Sequence, residues 1–234
     1  MKYIEITYWR LVQEEPKDET NLDIAIVEGS VSNNDENKEL KKIRENAKIV
    51  IAIGACAHLG GVQGLRNIMN DNLVQKASYD DLSGIRAIPV KAIEDIIPVD
   101  YTIRGCPINK DEFGQILLSL IQGRQPHHWD QPVCNECKQN RNVCFFEKDK
   151  KNLFCETQLA VCLGPITEGG CGARCPTNGM PCDGCRGWTT DFHIDEQIKE
   201  MKGRGLSMEE IIMLMRRYSG GNTKQTNFLT GVVK

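Results

Sequence analysis

Nine cysteines lie close together in the second half of this chain and constrain its fold more than any other feature. The 234 residues include 11 cysteines, so only two lie outside this block. In a reducing compartment dense cysteine indicates metal binding, and an odd count argues against the alternative, a disulfide-stapled module. Thiolates in Cys-x2-Cys pairs select zinc or iron–sulfur clusters. The block therefore predicts a loop-rich domain built around metal. Its cysteines are Cys134, Cys137, Cys144, Cys155, Cys162, Cys171, Cys175, Cys182 and Cys185.

The gaps between these cysteines favour iron–sulfur clusters over zinc. Zinc ribbons usually carry two Cys-x2-Cys pairs separated by a strand-rich spacer, whereas these gaps are nested and unequal. A [4Fe–4S] cube takes four thiolates, and the last four cysteines form a compact group of that size. Glycines throughout positions 169–187 leave the backbone free to aim amides at cluster sulfurs. A zinc-stabilised interaction module is the alternative. The compact group is Cys171, Cys175, Cys182 and Cys185, with Pro176 and Pro181 beside it.

The first half of the chain alternates strand-like and helix-like segments, which predicts an open parallel sheet covered on both faces. Lys48–Gly54 is a β-branched run that ends in glycine, as central parallel strands do. Asp111–Gln122 carries apolar residues at helical spacing. The predicted strands are Tyr3–Trp9, Asp23–Glu28 and Lys48–Gly54, and the predicted helices are Asp35–Asn46, Gly64–Met69 and Asp111–Gln122.

The two remaining cysteines follow predicted strands, where α/β proteins bind ligands. Cys56 comes directly after the Lys48–Gly54 strand, and Cys106 lies in a loop before a helix. Glu28 closes the preceding strand at the same edge, where it either relays protons or is simply solvated. Either cysteine alone fits a buried structural role, but two at matching strand ends indicate a shared site.

A break rich in proline and glycine, Gly123–Pro132, divides the chain. We expect an α/β domain over residues 1–125, a cysteine-rich domain over 126–190 and a helical tail over 191–234. In the tail, Ser207 and Glu210 form a capping-box signature, which predicts a helix over Met208–Tyr218. The residues after Ser219 are expected to be flexible.

Composition excludes several kinds of partner. The net charge of −3 argues against nucleic acid, whose binders usually present a basic face. No stretch approaches the roughly 20 apolar residues needed to cross a bilayer. The first ten residues lack the basic start and apolar run of a signal peptide, so we expect a cytoplasmic protein.

Short motifs in both halves resemble the small subunits of [NiFe] hydrogenases. In the first half they are VEGSV at 27–31, ACA at 55–57 and GCP at 105–107, which resemble the flavodoxin-like domain that the 20-kDa subunit of complex I shares. In the second half they are CLGPIT at 162–167, GCGA at 170–173 and PCDGC at 181–185. These resemble the hydrogenases' C-terminal cluster domain, which the complex I subunit lacks.

The resemblance is to the soluble, cytoplasmic branch of the family, with its sulfhydrogenase and viologen-reducing types. Periplasmic members have histidine where this chain has Cys134, and they lack the cysteine found here as Cys175. The resemblance thus implies a flavodoxin-like open parallel sheet, followed by a small loop-rich iron–sulfur domain and a C-terminal helix.

The resemblance also implies ligand sets. Cys171, Cys175, Cys182 and Cys185 would hold a medial cubane, and Cys56 with Cys106 would supply two ligands of a proximal one. Three ligands of a distal cubane would be Cys134, Cys137 and Cys162. The fourth is either Cys144, which we favour because two apolar residues and a glutamate follow it as in the family, or Cys155.

One departure from the family concerns the proximal cluster. Its other two thiolates come from a Cys-x-x-Cys turn after the family's first strand, and this chain has no cysteine before Cys56. If Tyr3–Trp9 is the family's second strand, the central first strand is missing. We expect Met1 to be an internal methionine of a longer protein; the rival hypothesis is a variant with two clusters only.

The function that the resemblance implies is electron transfer. A separate large subunit would split H2 at nickel–iron, and electrons would pass through clusters in this chain to a partner carrying flavin or another iron–sulfur centre. The alternatives are a complex-I-like or formate-linked oxidoreductase subunit and the zinc-stabilised module.

Overall fold

A computed structural model describes residues 4–9, 20–69, 71–146, 161–190, 193–222 and 225. Within these residues the first half forms a three-stranded parallel sheet in the order β1-β3-β5. Its strands are β1 (Leu22–Glu28), β3 (Ala47–Ile53) and β5 (Tyr101–Ile103). Two shorter strands, β2 (Val31–Asn33) and β4 (Ala87–Lys91), pair antiparallel in a second sheet. The predicted parallel sheet is confirmed.

Helices cover both faces of the parallel sheet. Val50 and Ala52 of β3 pack with Leu40 of helix α1 on one face, while Ile51 packs with Ile116 of helix α4 on the other. This alternation is the two-residue period of a strand, which sends successive side chains to opposite faces. The helices of this half are α1 (Asn34–Asn46), α2 (Gly54–Leu59), α3 (Asp71–Ser78) and α4 (Lys110–Ile121).

One sequence prediction in this half is wrong. Residues 4–9, expected as part of a strand over Tyr3–Trp9, belong to neither sheet, and among the described residues β1 pairs only with β3. Ile4 and Ile6 are about half exposed, at 46% and 50%. The helix expected near Gly64–Met69 is found as a 3-10 helix over Val62–Ile68. The strand β4 was not predicted, because it is short and contains Pro89.

The second half is organised by loops and short helices. Helix α5 (Val133–Gln139) carries the first Cys-x2-Cys pair, and helix α6 (Arg174–Thr177) carries Cys175. Helices α7 (Ile194–Gly203) and α8 (Met208–Arg216) pack Met201 and Ile211 against Leu163 in one apolar core. No helix in the described part of the chain is long and apolar enough to span a membrane.

The end of helix α8 leads into a buried segment rather than a flexible one. The capping box of Ser207 and Glu210 is confirmed, with α8 ending at Arg216 instead of Tyr218. Residues 219–222 are buried, so the expectation of flexibility after Ser219 is wrong for residues 220–222. Ser219 forms a parallel bridge with Gly61, and the following glycines cross the backbone so closely that a Cβ on Gly64 would lie 2.2 Å from the nitrogen of Gly221. The later tail positions, apart from residue 225, lie outside the described residues.

Candidate functional site

The carboxyl edge of the parallel sheet brings Cys56 and Cys106 together. Cys56 lies on α2 directly after β3, and the loop after β5 is held beside it because the N–H of Ala55 donates to the carbonyl of Gly105 at 2.9 Å. Burial raises the pKa of Cys56, and the nearby Cys106 and Glu28 raise it further. Gly61 has a φ of +62°, and a Cβ there would lie 2.5 Å from the Cys56 sulfur, so only glycine leaves this thiol room. We call these two cysteines the edge pair.

A second group of thiols surrounds one cavity. Its wall also includes Cys106 of the edge pair and the apolar side chains of Val133 and Pro176. Burial raises the pKa of Cys185 to about 11, although the N–H of Cys106 donates to its sulfur and opposes the rise. We call this group the inner set; it consists of Cys171, Cys175, Cys182 and Cys185.

A third group, the outer set, gathers around helix α5. Burial raises the pKa of Cys134 to about 12, with further contributions from the other three thiols of the set. The sulfurs of Cys134 and Cys162 flank Gly164, where a Cβ would lie 3.3 and 3.4 Å from them. Cys155, the alternative to Cys144, lies outside the described residues. The outer set consists of Cys134, Cys137, Cys144 and Cys162.

The three groups form a row linked by the backbone. The N–H of Cys182 in the inner set donates to the sulfur of Cys162 in the outer set at 3.3 Å, and the N–H of Leu163 donates to the carbonyl of Cys182 at 2.8 Å. At the other end, the N–H of Cys106 donates to the sulfur of Cys185. Neighbouring groups are therefore in direct contact through a backbone N–H and a cysteine sulfur.

The residues present fit iron–sulfur clusters. A four-iron cube binds each thiolate at a different iron, so its ligands surround a volume, as the inner set does. Burial raises the pKa of Cys182 well above its usual range, and such thiols lose their protons when a cationic centre binds them. The ten cysteines among the described residues are all free.

Comparison with known proteins identifies the family. Residues 1–120, just over half of the chain, match the model of the NADH ubiquinone oxidoreductase 20-kDa subunit. Sulfhydrogenase 2 subunit delta of Pyrococcus furiosus is 34% identical over 204 residues, which cover 87% of this chain and 81% of that protein. The chain belongs to the hydrogenase small-subunit family. The resemblance seen in the sequence motifs is confirmed, and the chain is a subunit of an oxidoreductase.

Two further proteins are similar to this chain. A subunit of the F420-non-reducing vhu hydrogenase of Methanocaldococcus jannaschii is 34% identical over 214 residues, covering 82% of this chain and 73% of that protein. Among solved structures, the NAD+-reducing [NiFe]-hydrogenase in its H2-reduced state is similar with 30% identity and a TM-score of 0.42, over 47% of this chain and 69% of that one.

Charged residues around the thiols were not found by sequence reasoning. Arg186 follows Cys185 directly and forms a buried ion pair with Glu112 of α4. Arg104, near Cys106, forms a second buried pair with Glu168 at 2.8 Å. A third residue, Glu136, lies inside the first Cys-x2-Cys pair. The only signal in the sequence is a charge next to a candidate ligand, and that pattern does not reveal a partner more than 60 residues away.

Proposed function

We propose that this hydrogenase small-subunit homologue transfers electrons through iron–sulfur clusters in its inner and outer sets, with the edge pair as part of a third site, in a cytoplasmic [NiFe] hydrogenase. The observation that carries the proposal is the row of thiol groups: edge pair, inner set and outer set, each joined to the next by an N–H that donates to a cysteine sulfur. Electron transfer requires closely spaced redox centres, and a storage or purely structural metal site has no need for such a row.

The inner and outer sets would each hold one [4Fe–4S] cluster, the medial and the distal one. Clusters of this kind supply reversible one-electron transfer. The chain supplies the rest: apolar residues such as Val133 and Phe145 exclude water, and the amide of Cys182 donates to a ligand sulfur. The edge pair supplies two of the four thiolates that a proximal cubane takes.

Two partners follow from this function. A nickel–iron large subunit would react with H2 next to the edge pair, since Cys106 is exposed at that end of the row. A flavin- or iron–sulfur-containing subunit would accept electrons beside the outer set. We place the complex in the cytoplasm because Cys134 and Cys175 give this chain its resemblance to the soluble, cytoplasmic branch of the family.

Anaerobic purification of the chain tests the cluster content. We expect bound iron and labile sulfide in equal amounts, absorbance near 400 nm and electron paramagnetic resonance signals of reduced cubanes. A colourless protein that holds zinc and no sulfide would refute the proposal in favour of a zinc-stabilised module.

Co-purification tests the hydrogenase assignment separately. We expect the tagged chain to bring down a large subunit that contains nickel, and the complex to reduce viologen dyes with H2. A loaded chain that brings down only quinone- or formate-linked subunits would favour the complex-I-like alternative. The hydrogenase-like second half argues against that alternative, because a complex I subunit has no outer set.

A further inference from the structure

Glu136 connects the inner and outer sets through its side chain. It lies on α5 between Cys134 and Cys137, both of the outer set, yet its carboxylate points to the loop that carries Cys171 of the inner set. The backbone N–H of Gly170 donates to Oε1 at 2.8 Å, and the N–H of Ala173 donates to Oε2 at 3.3 Å. A single side chain thus binds the backbone on both sides of a cluster ligand.

The same carboxylate is the charged group in contact with Cys171. Oε2 lies 3.8 Å from the Cys171 sulfur. Burial raises the pKa of Cys171, and the Glu136 charge is the next contribution in the same direction. The negative charge of Glu136, 3.8 Å from the Cys171 sulfur, disfavours additional negative charge on that sulfur and on a cluster bound to it.

The other groups that hold this loop are neutral or positively charged. Asn109, the N-cap of α4, donates from Nδ2 to the carbonyl of Gly170 at 3.1 Å, and Arg174 donates to its Oδ1 at 3.3 Å. The N–H of Gly169 donates to the carbonyl of Gln131 at 2.7 Å. Among these contacts, Glu136 alone brings a carboxylate and starts from a helix that bears ligands of the other set.

We propose that Glu136 is a positioning residue shared by two clusters: it fixes the Cys171 loop on α5 and lowers the reduction potential of the inner-set cluster. The inference rests on the proposed function, because it requires that both sets hold clusters. Ligand-loop amides and nearby charge are the means by which a protein sets cluster potential. The difference in reduction potential between the inner-set and outer-set clusters therefore depends on Glu136.

Two variants of the cluster-loaded 234-residue chain test the proposal. Glu136→Gln keeps a hydrogen-bond acceptor and removes the charge, so we expect it to retain iron and sulfide while the midpoint potential of one cluster shifts to more positive values. Glu136→Ala removes both acceptors, and we expect it to lose the iron of one cluster, about half of that in the two sets. Glu45→Gln, an exposed site on α1, is the matched loss of one negative charge and should change neither. Redox titration followed by electron paramagnetic resonance measures both potentials.

The outcomes separate this proposal from the proposed function. A wild-type chain without iron and sulfide would refute the proposed function, and this inference with it. A loaded wild type with an unmoved potential in Glu136→Gln would overturn this inference alone, whatever the alanine variant does. If Glu136→Gln itself fails to retain iron, hydrogen exchange of residues 169–174 decides: faster exchange in Glu136→Ala than in the wild type supports the proposal, and equal exchange overturns it.

Discussion

Both carboxylate oxygens of Glu112 lie 2.8 Å from guanidinium nitrogens of Arg186, in a bidentate pair that is almost wholly buried. Glu112 belongs to α4 of the first half, whereas Arg186 follows a cysteine of the inner set. Arg186 also donates to the carbonyls of Arg104 and Glu168. The pair therefore fastens the cysteine-rich half to the α/β half at the point where the edge pair meets the inner set.

Breaking this pair from one side should be strongly destabilising. Glu112→Ala leaves the Arg186 guanidinium buried without its partner, and we expect the free energy of unfolding to fall by about 3–5 kcal/mol. Urea unfolding of the loaded protein, followed by tryptophan fluorescence, measures the change. The matched control is Lys48→Ala, which breaks the exposed pair of Lys48 with Asp23 and should cost at most about 1 kcal/mol. Equal effects of the two substitutions would contradict the structural role given to Arg186.

The second buried pair predicts a pH dependence of stability. The Glu168 side chain is 3% exposed, and burial raises its pKa to about 7 against the opposing effects of Arg104 and Arg186; Glu112 and Asp130 act in the same direction as burial. The folded chain binds a proton on the Glu168 carboxyl more tightly than the unfolded chain does. The contribution of this protonated carboxyl to the stability of the fold is therefore complete below about pH 4.5, and it is lost as the pH rises towards about 7.

Glu168→Gln should remove that dependence. We expect its melting temperature to change less than that of the wild type between pH 5.5 and 7.5, measured in the same buffers. Glu209→Gln, at an exposed site on α8, is the control and should keep the wild-type slope. Equal pH slopes in the wild type and in Glu168→Gln would show that Glu168 does not take up a proton in this window.

The close contact between the backbones of Gly64 and Gly221 predicts a substitution that weakens the packing of the buried segment 219–222. A methyl group on Gly64 would lie 2.2 Å from a backbone nitrogen of Gly221, so Gly64→Ala must displace one of two main chains, at about 1–3 kcal/mol. We expect faster hydrogen exchange at residues 219–222. Gly114→Ala on α4 has no neighbour within 4 Å of the added methyl and should stabilise the chain by up to about 1 kcal/mol. Unchanged exchange in Gly64→Ala would mean that the segment does not pack on Gly64 in solution.

Serine substitutions distinguish the two candidates for the fourth outer ligand. Cys144 interacts electrostatically with Cys134 and Cys162, so Cys144→Ser should lose the iron of one cluster, about half of the iron in the inner and outer sets. Cys155→Ser should retain all of it. Iron and sulfide analysis of the two variants, prepared side by side, gives the answer, and the reverse pattern would assign the ligand to Cys155.

Sequence reasoning succeeded where the signal was local. The β-branched run now seen as Ala47–Ile53 predicted a strand, and the Ser207–Glu210 box predicted where α8 begins. It failed where structure depends on distant partners. Residues 4–9 have strand-like composition, yet composition cannot show whether a neighbouring strand is present, and Glu136 contacts a loop more than 30 residues further along the chain. The grouping of the cysteines was a prediction from family motifs, and whether they ligate clusters is for the iron analysis to test.

The crossing of Gly220 and Gly221 over Gly60 and Gly64 has a consequence for the order of folding. Cys56 lies on α2, which is capped at its C-terminus by Gly60. Residues 219–221 pack against this cap, and they are synthesised after all the cysteines of the chain. Contacts of such long sequence separation form late, because the loop they close is long. During synthesis, domains otherwise fold from the N-terminus onwards. The edge pair should therefore be the last of the three thiol groups to reach its final geometry, so that the end of the row at the sheet edge closes only after the cysteine-rich half has been assembled.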